Sequence, residues 1–400
     1  MQVRADHHQL SSPDNKHPKR ILIVSDEGFA AGGIGTSTAN LAVALAQAGQ
    51  DVVLVWPDAE RVQLAGVRQV AVNAKRFDVG KLGFVMLALP PKEADMPSDW
   101  IPEIVHIMRP TYLGIWAYRL AKKARAKTVL AMHEIVEQLP DSTLIGRTLR
   151  AFARWWFRTT YNAVDITITP GKFVVDHAYK TLDLRSKPFY LTNGLDIAAW
   201  RDGFSSVSRT GSDTHRLQIC SVINLSPYKN PAMMLEICQV LLERGVQLEL
   251  KIAGGGVLMP DLQAKILELG LSAHVQLLGQ LGRTEVAALI GSSDAFLLTS
   301  TFEVQGIVLI EAKALGTPAL VVRAPLSGAV DLIEDGVTGV LFDLDVQKAA
   351  DTLEPYLRNP ERLRAMRPAA YADAAQYDLE PVARAALEIY NGADLKIGVG

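Results

Sequence analysis

Short, unbroken apolar runs alternate with helix-like segments along almost the whole chain, and this alternation restricts the fold more than any other feature. Residues 21–25 (ILIVS), 52–56, 104–107, 128–132, 166–169 and 188–191 read as strands apolar on both faces, with helical stretches such as 37–48 between most of them. A strand with one wet face alternates polar with apolar residues, whereas one apolar throughout belongs to a parallel sheet covered on both sides by helices. Residues 201–215 (RDGFSSVSRTGSDTH) break the rhythm with a polar, Ser/Gly-rich stretch that has no period and reads as a linker. The alternation then restarts, with apolar runs at 217–223, 248–253, 275–278, 295–299 and 319–322 separated by helical segments. The expectation is an α/β protein of two domains: residues 20–202, a linker over 203–215, and 216–375, followed by a helical segment over 376–400. Ligands of open α/β sheets bind at the carboxyl ends of the strands, here in the cleft between the domains. The two halves show no sequence repeat.

Composition narrows the classes of function. With 49% hydrophobic and 21% charged residues, the 400-residue chain has the profile of well-cored domains. Lys+Arg of 41 against Asp+Glu of 43 gives a formal charge of -2, which excludes a globally basic nucleic-acid binder, and no nucleic-acid partner is expected. Cys220 and Cys238 lie in apolar runs and read as buried, reduced core residues. No stretch reaches the roughly 18 apolar residues of a spanning helix. Residues 1–19 are polar and read as a disordered tail, not a secretory signal. A cytoplasmic protein is expected, with or without a footing on the inner face of the membrane.

Two segments carry candidate chemistry. Ala31-Gly32-Gly33-Ile34-Gly35 joins the first strand to the first helix, where glycine lets a ligand approach backbone N–H groups at a helix N-terminus. Gly33-x-Gly35-x-x-Thr38 falls short of a dinucleotide fingerprint, and there is no Walker A motif. In Ser300–Ala312 (STFEVQGIVLIEA), a strand ends and an apolar helix begins near Gly306. That places Glu311 in the first turns of a buried helix, where a carboxylate costs several kcal/mol unless paired. Either a buried salt bridge or a diol, such as the hydroxyls of a ribose, would satisfy it. Glu303, just before the helix, is either an exposed charge or a group beside N–H donors suited to phosphate.

The segment resembles the E-x(7)-E motif of the retaining glycosyltransferases of family 4, which have the two-Rossmann GT-B fold. Further resemblances follow in order along residues 20–390. Gly32-Gly33 looks like the family's opening glycine loop, and Val105-His106 and Met132-His133-Glu134 match its strand-ending histidines. Asn193-Gly194-Leu195-Asp196 is similar to its N-G-V-D signature, 222–229 (VINLSPYK) to its G-R-L-S-x-x-K loop, and Gly254-Gly255-Gly256 to its glycine turn. The resemblance implies two parallel-sheet Rossmann-like domains facing across a cleft, with the last helix crossing back to the first. It implies sugar transfer from a nucleoside-diphosphate sugar to a glycan, lipid-linked or small-molecule acceptor, without a metal or other cofactor. It also implies that Glu303 contacts the donor sugar and that the backbone at Gln305, Gly306, Ile307 and Val308 holds its hydroxyls and diphosphate. Glu311 would bind the ribose, Lys229 would neutralise the diphosphate, Gly33 would approach it from the other domain, and His133 would lie by the reacting carbon.

There are departures from the family pattern. Its arginine in the G-R-L loop falls on Asn224, removing one of two diphosphate cations, with Arg283 and Arg323 as replacements on sequence position alone. Its frequent Gly-Phe is Val304-Gln305. Asp343-Leu344-Asp345 precedes a helix and reads as an N-cap instead of a metal motif. A helix over 144–161 would place Arg147, Arg150, Arg154 and Arg158 within roughly 80° of arc. Attraction to an anionic membrane is one reading; the other is a solvated basic face whose opposite side, Ile145, Leu149, Phe152 and Trp156, is used by the core. Three rivals to the transferase stand: another GT-B activity such as an epimerase or sugar phosphorylase, a non-catalytic scaffolding subunit, and an NAD-linked oxidoreductase.

Overall fold

A computed structural model describes residues 17–29, 33–78, 84–139, 143–205 and 216–392. The first half runs β1 (Arg20–Val24), α1 (Gly33–Gln47), β2 (Asp51–Trp56), β3 (Val67–Ala71), β4 (Ala74–Asp78), β5 (Phe84–Ala88), β6 (Ile104–Ile107), α2 (Tyr112–Ala124) and β7 (Lys127–Ala131). It continues with α3 (Leu144–Tyr161), β8 (Ile166–Thr169), α4 (Lys172–Thr181), β9 (Phe189–Tyr190) and α5 (Ile197–Ser205). The second half runs β10 (Leu217–Val222), α6 (Pro231–Glu243), β11 (Leu248–Ala253), α7 (Met259–Glu268), β12 (Val275–Gly279), α8 (Arg283–Ser292), β13 (Ala295–Leu298), β14 (Phe302–Glu303) and α9 (Ile307–Ala314). It ends with β15 (Ala319–Arg323), β16 (Leu326–Ser327), β17 (Gly339–Asp343), α10 (Val346–Leu357), α11 (Pro360–Asp373) and α12 (Leu379–Asn391).

Two parallel sheets result. The first has the order β3-β2-β1-β6-β7-β8-β9 and the second β12-β11-β10-β13-β15-β17. Apart from the β4–β5 hairpin and the separate β14–β16 pair, both follow one plan, in which the first strand lies inside, the next two build one way and the rest build the other. The order reverses beside β1 and beside β10, and there the strand ends diverge to leave a crevice. The continuous apolar runs are explained by burial on both faces. Leu22, Val24, Val53 and Val55 enter one core cluster, while Ile21, Ile23, Val52 and Leu54 enter another. Cys220 and Cys238 are free and buried in the core of the second domain.

Several local expectations need correction. α1 begins at Gly33, not at residue 37, because the glycine loop itself forms the first turn. A side chain at Gly35 would place its Cβ 2.2 Å from the Gly28 carbonyl oxygen, so only glycine lets this turn close. β3 and β4 carry too many polar residues to stand out as buried strands, whereas β5 (FVMLA), apolar throughout, is a run the sequence reading passed over; it pairs antiparallel with β4, outside the main sheet. The expected linker starts late, since α5 runs to Ser205. Arg201 of this helix stacks 3.4 Å from the Tyr371 ring centroid and donates to the Ala314 carbonyl at 2.8 Å. Residues 206–215, 1–16 of the expected tail and 393–400 of the last segment lie outside the described residues.

α12 packs on α1. Its Val382, Ala386, Ile389 and Tyr390 share a core with Ile21, Leu45 and Leu54, and Lys127 donates to the Tyr390 carbonyl at 2.9 Å. No helix among the described residues is long and apolar enough to cross a membrane.

Candidate active site

The second domain contributes the loops at the ends of β10 and β13. After β10 the chain passes Asn224 and a single 3-10 turn, Pro227–Lys229, along which the 254–256 loop is laid. Gly256 (φ 157°) permits that approach, because a Cβ there would sit 2.5 Å from the Leu225 carbonyl oxygen. After β13, the two-residue strand β14 pairs in parallel with β16. Its alternation divides the work. Phe302 and Val304 enter the core of the first domain, and the Val304 carbonyl fits between Gly171 and Gly328, where added Cβ atoms would meet it at 2.3 and 2.2 Å. Glu303, turned the other way, is ion-paired with Lys229 and accepts from Ser300 Oγ at 3.0 Å.

Gln305 ties the two domains together. Its Oε1 accepts from the Asn193 N–H at 3.0 Å, and its Nε2 donates to Thr192 Oγ1 at 2.5 Å. Gly306, in the left-handed region at φ 90°, then turns the chain into α9. The N–H groups of Ile307 and Val308 have no intrahelical acceptor and make the head of α9 electropositive. From the first domain, Gly33 lies close enough that a Cβ on it would be 3.5 Å from Ile307 Cγ2.

One turn along α9 stands Glu311. Its main-chain carbonyl accepts from Trp200 Nε1 at 3.1 Å, but its carboxylate has neither hydrogen bond nor ion pair among the described residues. Burial pushes its pKa up to about 7, against the opposing charge of Arg283, whose guanidinium lies 5.4 Å from the Trp200 ring centroid. The salt bridge that would have satisfied Glu311 without a ligand is absent among the described residues.

The first domain faces this side with the ends of β1, β6 and β7. Arg109 pairs with Glu27 at 2.5 Å and Glu134 at 2.6 Å, and lies 3.6 Å from Asp26. Burial alone would depress the Arg109 pKa, but the charges of Glu134, Glu27 and Asp26 raise it on balance. Asp26 is buried, with no hydrogen bond to either carboxylate oxygen among the described residues, and burial raises its pKa despite Arg109. His133 follows β7; burial, with Arg109 nearby, pushes its pKa down to about 4. His106 in β6 is pushed down to about 3 by burial, and its Nδ1 lies 2.5 Å from the Tyr390 hydroxyl of α12. Among the described residues neither histidine has a partner at Nε2, and both line one small cavity with Ser37 and Asn193.

The structure thus gathers Lys229, Glu303, Gln305, Gly306, Ile307, Val308, Glu311 and Gly33 around the head of α9, with His133 at the strand ends of the other domain. Asn224 is exposed and lies against Gly256. Neither proposed replacement for the family's arginine stands free. Arg323 is bonded to Asp335 and to the Leu341 carbonyl, and Arg283 serves Trp200 and Glu311. Asp345 caps α10 by accepting from the Lys348 N–H at 2.9 Å. The arginine stripe also needs correction, because Arg150 turns inward to the carbonyls of Leu139 and Glu137. The sequence reading missed Asp26, Glu27, Arg109 and Thr192. The signal for the first three was available: adjacent strands β1, β6 and β7 are each followed within three residues by a charged group.

Two Rossmann-like domains, each built on a parallel sheet, define the GT-B class. Crystal structures of that class superpose along nearly the whole chain. Anabaena Alr3699/HepE, in complex with UDP and glucose, gives a TM-score of 0.70 at 16% identity, covering 94% of this chain and 100% of that one. Sucrose-phosphate synthase from Thermosynechococcus elongatus gives 0.72 at 17%, covering 94% and 98%. These likenesses establish the fold alone. The model of Glycosyltransferase Family 4 matches residues 31–199 and that of Glycosyl transferases group 1 matches residues 206–373. The chain belongs to glycosyltransferase family 4. D-inositol 3-phosphate glycosyltransferases are among its curated relatives. That of Mycobacterium leprae is 32% identical over 211 residues, covering 50% of this chain and 48% of the relative. That of Frankia alni is 31% identical over 212 residues, covering 50% and 52%. The chain spans about half the length of the curated relatives it matches.

Proposed function

We propose that the protein is a retaining glycosyltransferase that moves a sugar from a nucleoside-diphosphate sugar to an acceptor hydroxyl. The observation that carries this reading is the unpartnered Glu311 carboxylate, one turn inside a helix whose head is flanked by Lys229 and Glu303. A carboxylate accepts from both hydroxyls of a ribose, and a helix N-terminus with a lysine beside it meets the charge of a departing diphosphate. The UDP and glucose bound by Alr3699/HepE support a nucleotide-sugar donor. Glu303 contacts the sugar, and its pairing with Lys229 argues against a free enzyme nucleophile, in keeping with same-face attack and retention. His133, held neutral, positions the acceptor instead of stripping its proton, which passes to the leaving diphosphate. Lys229 and the helix head supply the positive charge, so transfer is expected to persist in a chelator.

Thermal shift against UDP, GDP, ADP, TDP and NAD, with and without magnesium, tests the donor site. A metal-independent rise with one nucleoside diphosphate supports the reading and names the base; a rise with NAD alone overturns it. Asn224 favours a second reading, a donor-binding subunit without transfer, because one diphosphate cation is missing. Binding without transfer to any acceptor supports that alternative. Under the transferase reading, Asn224→Arg strengthens diphosphate binding by roughly tenfold, the worth of one charge-assisted contact, measured by titration calorimetry.

A further inference from the structure

Helix α3 buries little of itself. Of its residues only Gly146 and Tyr161 are fully buried, while Ile145 is 74% exposed, Phe152 60%, Trp155 56% and Leu149 42%. Of the apolar side that the plainer sequence reading assigned to the core, Ile145, Leu149 and Phe152 stay exposed and Trp156 alone turns in, its Nε1 donating to the Pro110 carbonyl at 2.9 Å. With Leu144 also exposed, these side chains span a sector of roughly 140°. The opposite sector, with Ala153, Phe157 and Tyr161, packs on the first domain. Phe152, Trp155 and Trp156 form a continuous aromatic patch, with centroid separations of 5.6 and 6.3 Å. Arg147, Arg154 and Arg158 line one edge of the exposed sector. Arg158 pairs with Asp183 at 2.5 Å, whereas Arg147 and Arg154 have no partner among the described residues. The helix contains no acidic residue.

We infer that this face of α3 docks on an anionic lipid bilayer. Monomeric proteins rarely leave so large an apolar patch to water. A second copy of this chain would bring the same arginines together with no carboxylate on the helix to meet them. An anionic bilayer satisfies both parts: acyl chains take the apolar sector, tryptophan sits at the headgroup boundary, and the flanking arginines meet lipid phosphates. The placement also bears on the cleft. β7 ends beside His133 and Glu134, and Arg150 of α3 is bonded to the carbonyls of Glu137 and Leu139 in the 3-10 turn that follows them. Docking therefore brings the acceptor side of the cleft to the bilayer, so that the acceptor is a hydroxyl carried by a lipid. Only this last step rests on the transferase reading; binding to lipid does not.

The test is sedimentation of the full chain with vesicles of phosphatidylcholine, with and without phosphatidylglycerol. Binding is expected to the anionic vesicles and to fall with salt. Arg147→Gln and Arg154→Gln should each weaken it by roughly fivefold, and the double variant Phe152→Ser/Trp155→Ser by more than about tenfold. Tryptophan emission should shift to the blue on binding in wild type and much less in Trp155→Phe. Because these side chains are exposed, thermal unfolding should be unchanged, and variants that unfold early are replaced by the arginine pair. Failure of wild type to bind anionic vesicles, or equal binding by the double variant, overturns the inference. So does a dimer that the same substitutions disperse, which would make the face a subunit interface. Lipid binding with no nucleotide binding would sustain the docking surface and sink the transferase reading instead.

Discussion

At the strand ends of the first domain, Arg109 is enclosed by Glu27, Glu134 and Asp26, and the two histidines beside it are held neutral. Across the cleft, at the head of α9, the Glu311 carboxylate has neither hydrogen bond nor ion pair among the described residues, and the first helical N–H groups have no intrahelical acceptor. The two sheets share one strand order, so topology does not explain the contrast. On the first side Arg109, Glu27 and Glu134 satisfy one another, and Asp26 is held beside them by the charge of Arg109. On the second, Lys229 and Glu303 pair with each other, but the Glu311 carboxylate and the N–H groups of the helix head are left for a ligand to satisfy. Self-satisfied groups are a matter of stability and open ones a matter of binding, and substitutions on the two sides should separate accordingly.

The largest effect should come from breaking the closed network. Arg109→Met leaves buried carboxylates uncompensated and should cost about 3–5 kcal/mol of stability, read from chemical unfolding. Because a buried carboxylate without its cation protonates, the loss should shrink in mild acid. Arg283→Met, at an exposed cation, should leave stability nearly unchanged; comparable losses at both sites would erase the comparison. Next, Glu303→Ala should lower kcat by about 10²–10³-fold while changing nucleotide affinity little. A loss confined to KM would place Glu303 in uniform binding instead. Glu311→Ala should weaken nucleoside-diphosphate affinity by roughly tenfold or more, the value of hydrogen bonds to a charged group. Equal affinity in wild type and Glu311→Ala would remove the ribose assignment.

The α/β architecture was legible because strands buried on both faces have to be apolar throughout, and 104–107, 166–169 and 248–253 were read to the residue. What escaped was structure whose stability comes from its neighbours. β3 is an edge strand with polar side chains, the β4–β5 hairpin pairs apart from the main sheet, and the start of the expected linker is helical because Arg201 reaches the second domain. The head of α9 could be placed from Gly306 and the apolar run after it. That Gln305 reaches Thr192, 113 residues away in sequence, could not, since nothing local records it. The arginine spacing on α3 gave the helix but not its orientation; which side a helix turns to the core depends on the surface it meets.

The smallest effect separates the open carboxylate most cleanly. Glu311 titrates near 7 in the free protein, raised from an ordinary 4.5 by burial and only partly restored by Arg283. A folded-state pKa above the unfolded one gives stability at low pH that is lost as pH rises toward 7, so the unliganded protein gives up stability over that interval to keep the group. Two hydroxyls that both donate need the ionised form, so nucleotide binding should draw the pKa down and release a fraction of a proton just below neutrality. Affinity should rise as pH increases through 7 and then level off. Calorimetry in buffers of different ionisation enthalpy measures the proton directly. The nucleotide's own phosphates also titrate, so the informative quantity is the difference between wild type and Glu311→Gln, which retains the shape and one acceptor oxygen without a titrating group. An identical proton count in the two proteins would mean that the carboxylate is not where the ribose binds. A smaller count in the variant, together with greater stability than wild type above neutrality but not in acid, would show that the second domain keeps this charge for its ligand.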